Sequence, residues 1–372
     1  MSTIRFFFGP LTVEIRLATE LTRVGESLRT WFAAGRIESH THADADVRFE
    51  LMGHGAEGLE PSAFDWDGRA WEAARVTDDG GAELATWRLR LKDGPLLRTV
   101  GRLPRPAFRF LHVHRFDAEG VRASTFLYRH LVPALQVELL RKGATLVHAS
   151  ALLGPGGLGM MVSGEGGAGK TSGSAALYLG HPTRWRFMSD DLAILDGDGV
   201  VHFSPLPLNV FPYSTRTFPP LHDRVVQPMS AWDRLQWRVR GFVMGANGVA
   251  RRVAPWVENG RSSTCPLKVF IHLERSDVVE PVIVSGSPDG AALTCGRILR
   301  HELRTSLPLY AGELRGTGVG GEVEAMATGG ERIVERALQG IPVVVARIPR
   351  AMSVAELGTL LERIWQDSHP DG

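Results

Sequence analysis

The chain has 372 residues, 44% hydrophobic and 22% charged, which gives it enough apolar material to bury a sizeable core and excludes a disordered or fibrous protein. Its 42 basic and 41 acidic side chains leave a formal charge of +1, which argues against a nucleic-acid binder held by bulk electrostatics. Two cysteines, Cys265 and Cys295, exclude a disulfide scaffold or a Cys-type zinc site and fit a reducing cytoplasm, while no apolar run is long enough for a membrane span or, at Met1 to Pro10, for a signal peptide.

Composition changes character near residue 145, so two domains are expected, an α+β unit over residues 1–143 and a second unit over 144–372. In the first, His40, His42, Asp44 and Asp46 lack the spacing of a metal set and read as a solvated loop. Thr86 to Lys92 alternates apolar with polar side chains and predicts a half-buried strand, and Arg109 to Val113 a less regular one. Leu127, Leu131, Leu135 and Leu139 recur every four residues and predict a helix stopped at Gly143, with Pro133 near its start.

In the second unit, Thr145 to Leu153 and Leu158 to Val162 predict two strands joined by the turn Gly154 to Gly157. Leu192 to Leu195 and Val200 to Phe203 flank Asp196-Gly197-Asp198-Gly199, which predicts a hairpin and has too few acids for a calcium loop. Residues 204–265 carry only weak periodicity. Lys268 to Leu273 and Ile341 to Ala346 predict strands, whereas Gly316 to Gly321 satisfies G-x-G-x-x-G with no strand before it and reads as a loop. The chain closes with a helix: Ser353 and Glu356 form a capping box, and Val354, Leu357, Leu361, Ile364 and Trp365 make one apolar stripe.

Gly164-Glu165-Gly166-Gly167-Ala168-Gly169-Lys170-Thr171 matches the phosphate-loop pattern G-x-x-x-x-G-K-[ST] in full, and chance supplies on the order of 0.01 matches in a chain of this composition. The predicted strand ends just before it, and Thr171-Ser172 and the small residues that follow open a helix. Small residues let backbone N–H groups turn toward phosphate oxygens, and the helix N-terminus adds its positive dipole end. Lys170 is expected to reach the β- and γ-phosphates, and Thr171 to offer its hydroxyl to Mg²⁺. Only four of the 42 basic residues are lysine, so a lysine here is a choice of compact point charge over planar fork.

Asp190 and Asp191 are the next carboxylates after the loop. A phosphoryl transferase needs one group for the metal and another to orient or deprotonate the attacking hydroxyl, and the doublet can divide those tasks in either order. Neighbouring side chains on extended backbone point to opposite faces, so a kink is required if both are to serve one pocket. His148 sits in an apolar strand before the loop, where a histidine is usually a satisfied core residue.

Three stretches, Leu146-Val147-His148-Ala149-Ser150, Gly164 to Thr171 and Ser189-Asp190-Asp191-Leu192-Ala193-Ile194-Leu195-Asp196, together resemble the HPr serine kinase/phosphatase superfamily in its divergent, kinase-only branch. The resemblance covers residues 145–200. It implies an α/β phosphate-loop kinase core of the type shared with phosphoenolpyruvate carboxykinase; the smaller α+β domain that composition places before it, over residues 1–143, does not resemble that of the bifunctional enzymes and is a candidate for substrate recognition. It further implies ATP and Mg²⁺ as cofactors and a serine of a protein or peptide as acceptor, ribosomal peptide precursors among the candidates, with no nucleic acid or membrane partner; a homo-oligomer is compatible with it. Carried over, Asp190 matches the general base, Asp191 the metal ligand, and His148 the group that tunes the base; nucleotide contacts fall to Gly164, Glu165, Gly166, Gly167, Ala168, Gly169, Lys170, Thr171 and Ser172. The chain departs from the bifunctional enzymes in having Pro205-Leu206-Pro207-Leu208-Asn209-Val210 where their glycine-rich signature follows the aspartates, which puts phosphatase activity and HPr as substrate in doubt. Arg251 and Arg252 are candidates for the arginine that neutralises the transferred phosphoryl group. The rival readings are a nucleotide-controlled interaction protein with little or no transfer, and a small-molecule kinase.

Overall fold

The structure, a computed structural model, describes residues 2–37, 44–52, 71–77, 85–91, 123–124, 126–243, 251–255, 264–303 and 323–368. Arg109 to Val113, Gly316 to Gly321, His40, His42 and Lys92 lie outside them. The fold is mixed α/β, with parallel and antiparallel strand pairs in two main sheets.

The first sheet has five strands in the order β1 (Ser2–Phe8), β2 (Leu11–Leu17), β3 (Val47–Met52), β5 (Ala85–Leu91) and β4 (Trp71–Thr77), so the strand expected at Thr86 is present as β5. Alternation decides its faces: Ile4, Phe6, Phe8, Val13, Ile15 and Leu17 are buried together, and α1 (Thr22–Trp31) adds Val24 and Leu28. Just beyond α1, Phe32 stacks on Phe6 with ring centroids 4.2 Å apart. Glu14 is buried, and three strands converge on it through Arg5, Arg16 and Arg48, which satisfy its oxygens and hold its carboxyl below the ordinary value against the opposing cost of burial. Asp46 accepts from the Thr12 amide at 2.7 Å and pairs with Lys142, so it is tied into the fold.

The leucine repeat at 127–139 forms a π-helical turn, Leu127–Leu131, followed by α2 (Val132–Arg141). Pro133 has no N–H to donate four residues back, and the helix opens into wider geometry just ahead of it. Gly143, at φ +72°, ends the run as expected. Almost every side chain of α2 is buried, and Gln136 bonds both the Thr145 hydroxyl and the Leu146 amide of the next strand.

The second sheet contains β6 (Ala144–Val147), β7 (Ala149–Leu153), β8 (Gly159–Gly164), β9 (Arg186–Ser189), β10 (Ala193–Asp196), β11 (Val200–His202), the long β14 (Thr264–Ser276), β15 (Val282–Ser285) and β16 (Val343–Pro349). Helix α3 (Lys170–Gly180) follows β8, and β8 runs parallel to β14, which in turn runs parallel to β16. The hairpin β10–β11 forms as expected, closed by Asp196, whose carboxylate accepts from the amides of Asp198 and Val200 and contacts His202. The single strand expected over Thr145 to Leu153 is broken at His148. Upstream of the break β6 pairs with β10, and downstream β7 pairs with β8 and β9, so the chain leaves one ladder and joins another.

Residues 204–255, without a sequence prediction, hold β12 (Leu208–Val210), α4 (Pro212–Thr217), α5 (Pro219–Val225), α6 (Ala231–Val243) and β13 (Arg251–Val253), with β12 and β13 paired as a two-stranded ribbon. Helices α7 (Pro288–Leu303) and α8 (Val323–Ala337) precede β16, and α9 (Val354–Asp367) closes the chain with the expected Ser353–Glu356 capping box. Leu357 and Leu361 of α9 lie against the first turn of α3. No helix among the described residues is long and apolar enough to cross a membrane.

Leu192, Ile194, Leu206, Leu299 and Leu303 belong to the same buried cluster as the first sheet and α2, so the hydrophobic core is continuous across residue 143. The shared core predicts that Leu135→Ala, at a fully buried position, lowers stability by roughly 2–5 kcal/mol. Thermal unfolding followed by tryptophan fluorescence is expected to stay a single transition, because the amino-terminal sheet shares its core with Leu192, Ile194, Leu206, Leu299 and Leu303 of the second half and cannot unfold without exposing them.

Candidate functional site

Two bent chain segments create the site. Val147 pairs with Ala193 and Ala151 with Ser189, so the intervening residues His148 to Ser150 face Asp190 to Leu192. Both segments are bent where they change ladders, which frees side chains that a continuous sheet would send to opposite faces. Asp191 supplies the kink that the doublet required. At φ +67° it is the non-glycine residue with positive φ among the described residues, and the Leu192 amide bonds the Asp190 carbonyl across it at 2.8 Å. This is the rarer, strained form of the three-residue γ-turn.

The glycine segment lies directly beneath. Gly164 ends β8 at φ +152°, where a Cβ would come within 2.6 Å of the Leu273 carbonyl oxygen, and Gly169 caps α3 at φ +108°. A Cβ at Gly166 or Gly167 would meet nothing within 4 Å, and both residues are exposed, so this stretch of the loop is open to solvent. Ala168 is buried beneath it, its amide bonded to the Glu165 carbonyl. The Glu165 side chain is exposed. The first-turn amides of Lys170, Thr171 and Ser172 have no partner inside α3, and no side chain caps them. Such an arrangement suits an anion with several oxygens.

Lys170 is buried, with Nζ 2.7 Å from the Gly164 carbonyl, 3.1 Å from that of Glu165 and 2.9 Å from His148 Nε2. Burial lowers its pKa, opposed by the charges of Asp191, Asp190 and other nearby acids. Because the ammonium can only donate, His148 Nε2 accepts and the ring proton sits on Nδ1, 3.5 Å from the Asp191 carboxylate. Burial pushes the histidine pKa down, more than the Asp191 charge raises it, so the ring is neutral at neutral pH. The resemblance set His148 beside the base at Asp190, whereas its polar neighbours here are Lys170 and Asp191.

Asp190 is buried among hydroxyls. Thr171 Oγ1 is 3.0 Å from both of its oxygens, and Ser150 Oγ donates to Oδ1 at 2.5 Å. Desolvation first, and then the charge of Asp191, raise its pKa to about 6 against those two hydroxyls and Lys170. Asp191 is more open, with 38% of its side chain exposed, and its Oδ2 accepts from Asn209 Nδ2 at 3.1 Å. The loop, Lys170, Thr171, both aspartates and His148 therefore form one connected constellation.

Ser150 and Asn209 were not singled out by sequence. Ser150 lies within the quoted His148 stretch, and its signal is the register that sets it against Asp190. Asn209 comes from the Pro205 to Val210 segment and carries no recognisable motif. Arg252 lies opposite Asn209 in the β12–β13 register, and Arg251 opposite Val210. Among the described residues no group of three or more His, Cys, Asp or Glu side chains is placed to hold a metal by itself. The chain matches no known family model and no curated protein.

The raised pKa of Asp190 makes its charge a cost to folding. Between its ordinary value of 3.8 and about 6, the folded protein holds a proton that the unfolded chain releases, so this contribution to stability falls as pH rises through that window. Asp190→Asn removes the cost, and is expected to stabilise the protein above neutral pH by roughly 1–3 kcal/mol. The gain should vanish at pH values below the window, measured by denaturant melts across pH.

Proposed function

We propose that this protein is an ATP- and Mg²⁺-dependent kinase that transfers the γ-phosphate to a serine hydroxyl of a protein or peptide. The observation that carries the reading is the 3.0 Å contact between the Thr171 hydroxyl and the Asp190 carboxylate at the mouth of an open glycine loop. A hydroxyl and one or two carboxylates are the hard oxygen donors that a magnesium ion takes alongside nucleotide phosphates. The sequence resemblance to the HPr kinase superfamily supports the same reading, and with it a phosphate-loop kinase core.

The chain's residues fit these tasks. Backbone amides of Gly166, Gly167 and Gly169 through Ser172 would hold phosphate oxygens, and Lys170 would add a positive charge beside them. Bound magnesium would neutralise charge on the triphosphate. Thr171 and Asp190 are the residues suited to hold it, since Asp190 is buried with its oxygens already turned to the threonine. Asp191 is the carboxylate open enough to meet an incoming hydroxyl, with the neutral His148 ring beside it. This division reverses the roles carried over by the resemblance, and it rests on exposure: a base has to come within hydrogen-bond reach of the proton it removes. Arg252, opposite Asn209 in the ribbon, is the candidate for balancing charge on the phosphoryl group in flight.

Radiolabelled γ-phosphate transfer to candidate proteins and peptides encoded beside the gene tests the activity. Lys170→Ala is expected to weaken nucleotide binding. Asp190→Asn is expected to raise the magnesium concentration needed for half-maximal rate. Asp191→Asn is expected to leave nucleotide affinity unchanged and to cut turnover by about 10²–10⁴-fold. Label appearing only in metabolite-sized products would identify a small-molecule kinase instead. Full transfer by Asp191→Asn would return the base to Asp190.

A further inference from the structure

The strained turn at Asp191 is not left to hold itself. Asn209, on β12, donates from Nδ2 to Asp191 Oδ2 at 3.1 Å, and its Oδ1 accepts from the Tyr128 hydroxyl at 3.2 Å. A carboxylate can only accept, so the amide must present its NH₂ to Asp191, and its oxygen is then left for a donor. The phenol is that donor, and this polarity fixes the amide in one orientation. Its support is rigid on both sides. Asn209 sits in a two-stranded ribbon, and Tyr128 sits in the π-turn ahead of Pro133. From the other direction, His148 Nδ1 lies 3.5 Å from Asp191 Oδ1 and is itself fixed by Lys170. Each carboxylate oxygen of Asp191 thus faces a different fixed group, while part of its surface stays open to solvent.

We propose that Asn209, oriented by Tyr128, is a positioning residue that holds Asp191 in its left-handed conformation with its carboxylate aimed into the site. The inference rests on the functional reading above in assigning Asp191 a task, and on distances alone in assigning Asn209 its own. An aspartate at 209 would keep the size but face Asp191 with a like charge and no donor. An alanine would leave the turn unsupported.

The test pairs kinetics with crystallography on the full chain, using Asn209→Ala, the isosteric Asn209→Asp, Tyr128→Phe and the double variant Tyr128→Phe/Asn209→Ala. Magnesium-dependent ATP turnover, with water as surrogate acceptor, is read together with nucleotide affinity. Both Asn209 variants are expected to keep the wild-type KM for ATP and to lose turnover by about 10- to 100-fold. Tyr128→Phe should lose about five-fold, and should cost nothing further once Asn209 is alanine, because the amide it orients is gone. In nucleotide-free crystals of the two Asn209 variants, the Asp191 carboxylate should leave its place beside His148. Wild-type turnover in both Asn209 variants would overturn the proposal, as would an unmoved Asp191. If the wild type turns over no ATP with water as acceptor, the crystallographic comparison alone decides the role of Asn209, and the kinase reading stands or falls separately on labelled transfer to protein or peptide substrates. Should Asn209→Ala fail to fold, Asn209→Asp carries both readouts.

Discussion

A carboxylate out of water is expensive, and the geometry around Asp190 follows from meeting that cost. Two hydroxyls, from Ser150 and Thr171, bond its oxygens, and the buried ammonium of Lys170 adds a favourable charge. Those three groups come from two elements, Ser150 from β7 and Lys170 and Thr171 from the first turn of α3. They meet because β6–β7 and β9–β10 both bend at the same level of the sheet. Without the break at His148, Ser150 would keep the pleat of one continuous strand and His148 would not reach the loop. The same bends create the second, more open acid at Asp191. Adjacent carboxylates with unlike surroundings are the usual way to separate two roles in one pocket.

Much of this was legible in the chain itself. The glycine loop, the hairpin at Asp196, the capping box at Ser353, and the strands at Thr86, Lys268 and Ile341 follow from local patterns whose physical meaning does not depend on distant residues. The requirement for a kink at the doublet also followed from strand geometry alone, and Asp191 meets it. Tertiary choices escaped. A strand that changes partners at His148 reads in sequence as one apolar run, because hydrophobicity records burial and not which neighbour does the burying. Asn209 was invisible for a related reason. Its place in the site is set by a three-residue strand inside a segment of weak periodicity, and an isolated asparagine there reads as turn chemistry. The expected divide at residue 143 marks a real change in composition and the end of α2, while the apolar cluster beneath it runs on without interruption.

Lysine usage gains meaning from the fold. Lys170 and Lys268 are both buried, and each places a single compact ammonium against backbone carbonyls. Lys268 lies 4.0 Å from the centre of the Trp365 ring and bonds that residue's carbonyl, and Trp365 packs edge-on against Trp185. This clamp ties α9 to β14, and α9 in turn presses Leu357 and Leu361 against Gly169 and Gly173 at the start of α3. Helix α9 therefore braces the turn that opens α3 from behind the glycine loop.

The uninterrupted apolar cluster constrains how the protein can be engineered. Leu192, Leu206, Leu299 and Leu303 are carried by the glycine-loop half, yet they are packed into the interior built around the amino-terminal sheet. A sheet exchanged for a foreign one would have to reproduce that relief side chain by side chain, or leave a greasy scar facing solvent. Replacing either half alone therefore disturbs the packing of the other, and grafting new specificity onto this scaffold is better attempted in its surface loops than by shuffling its modules.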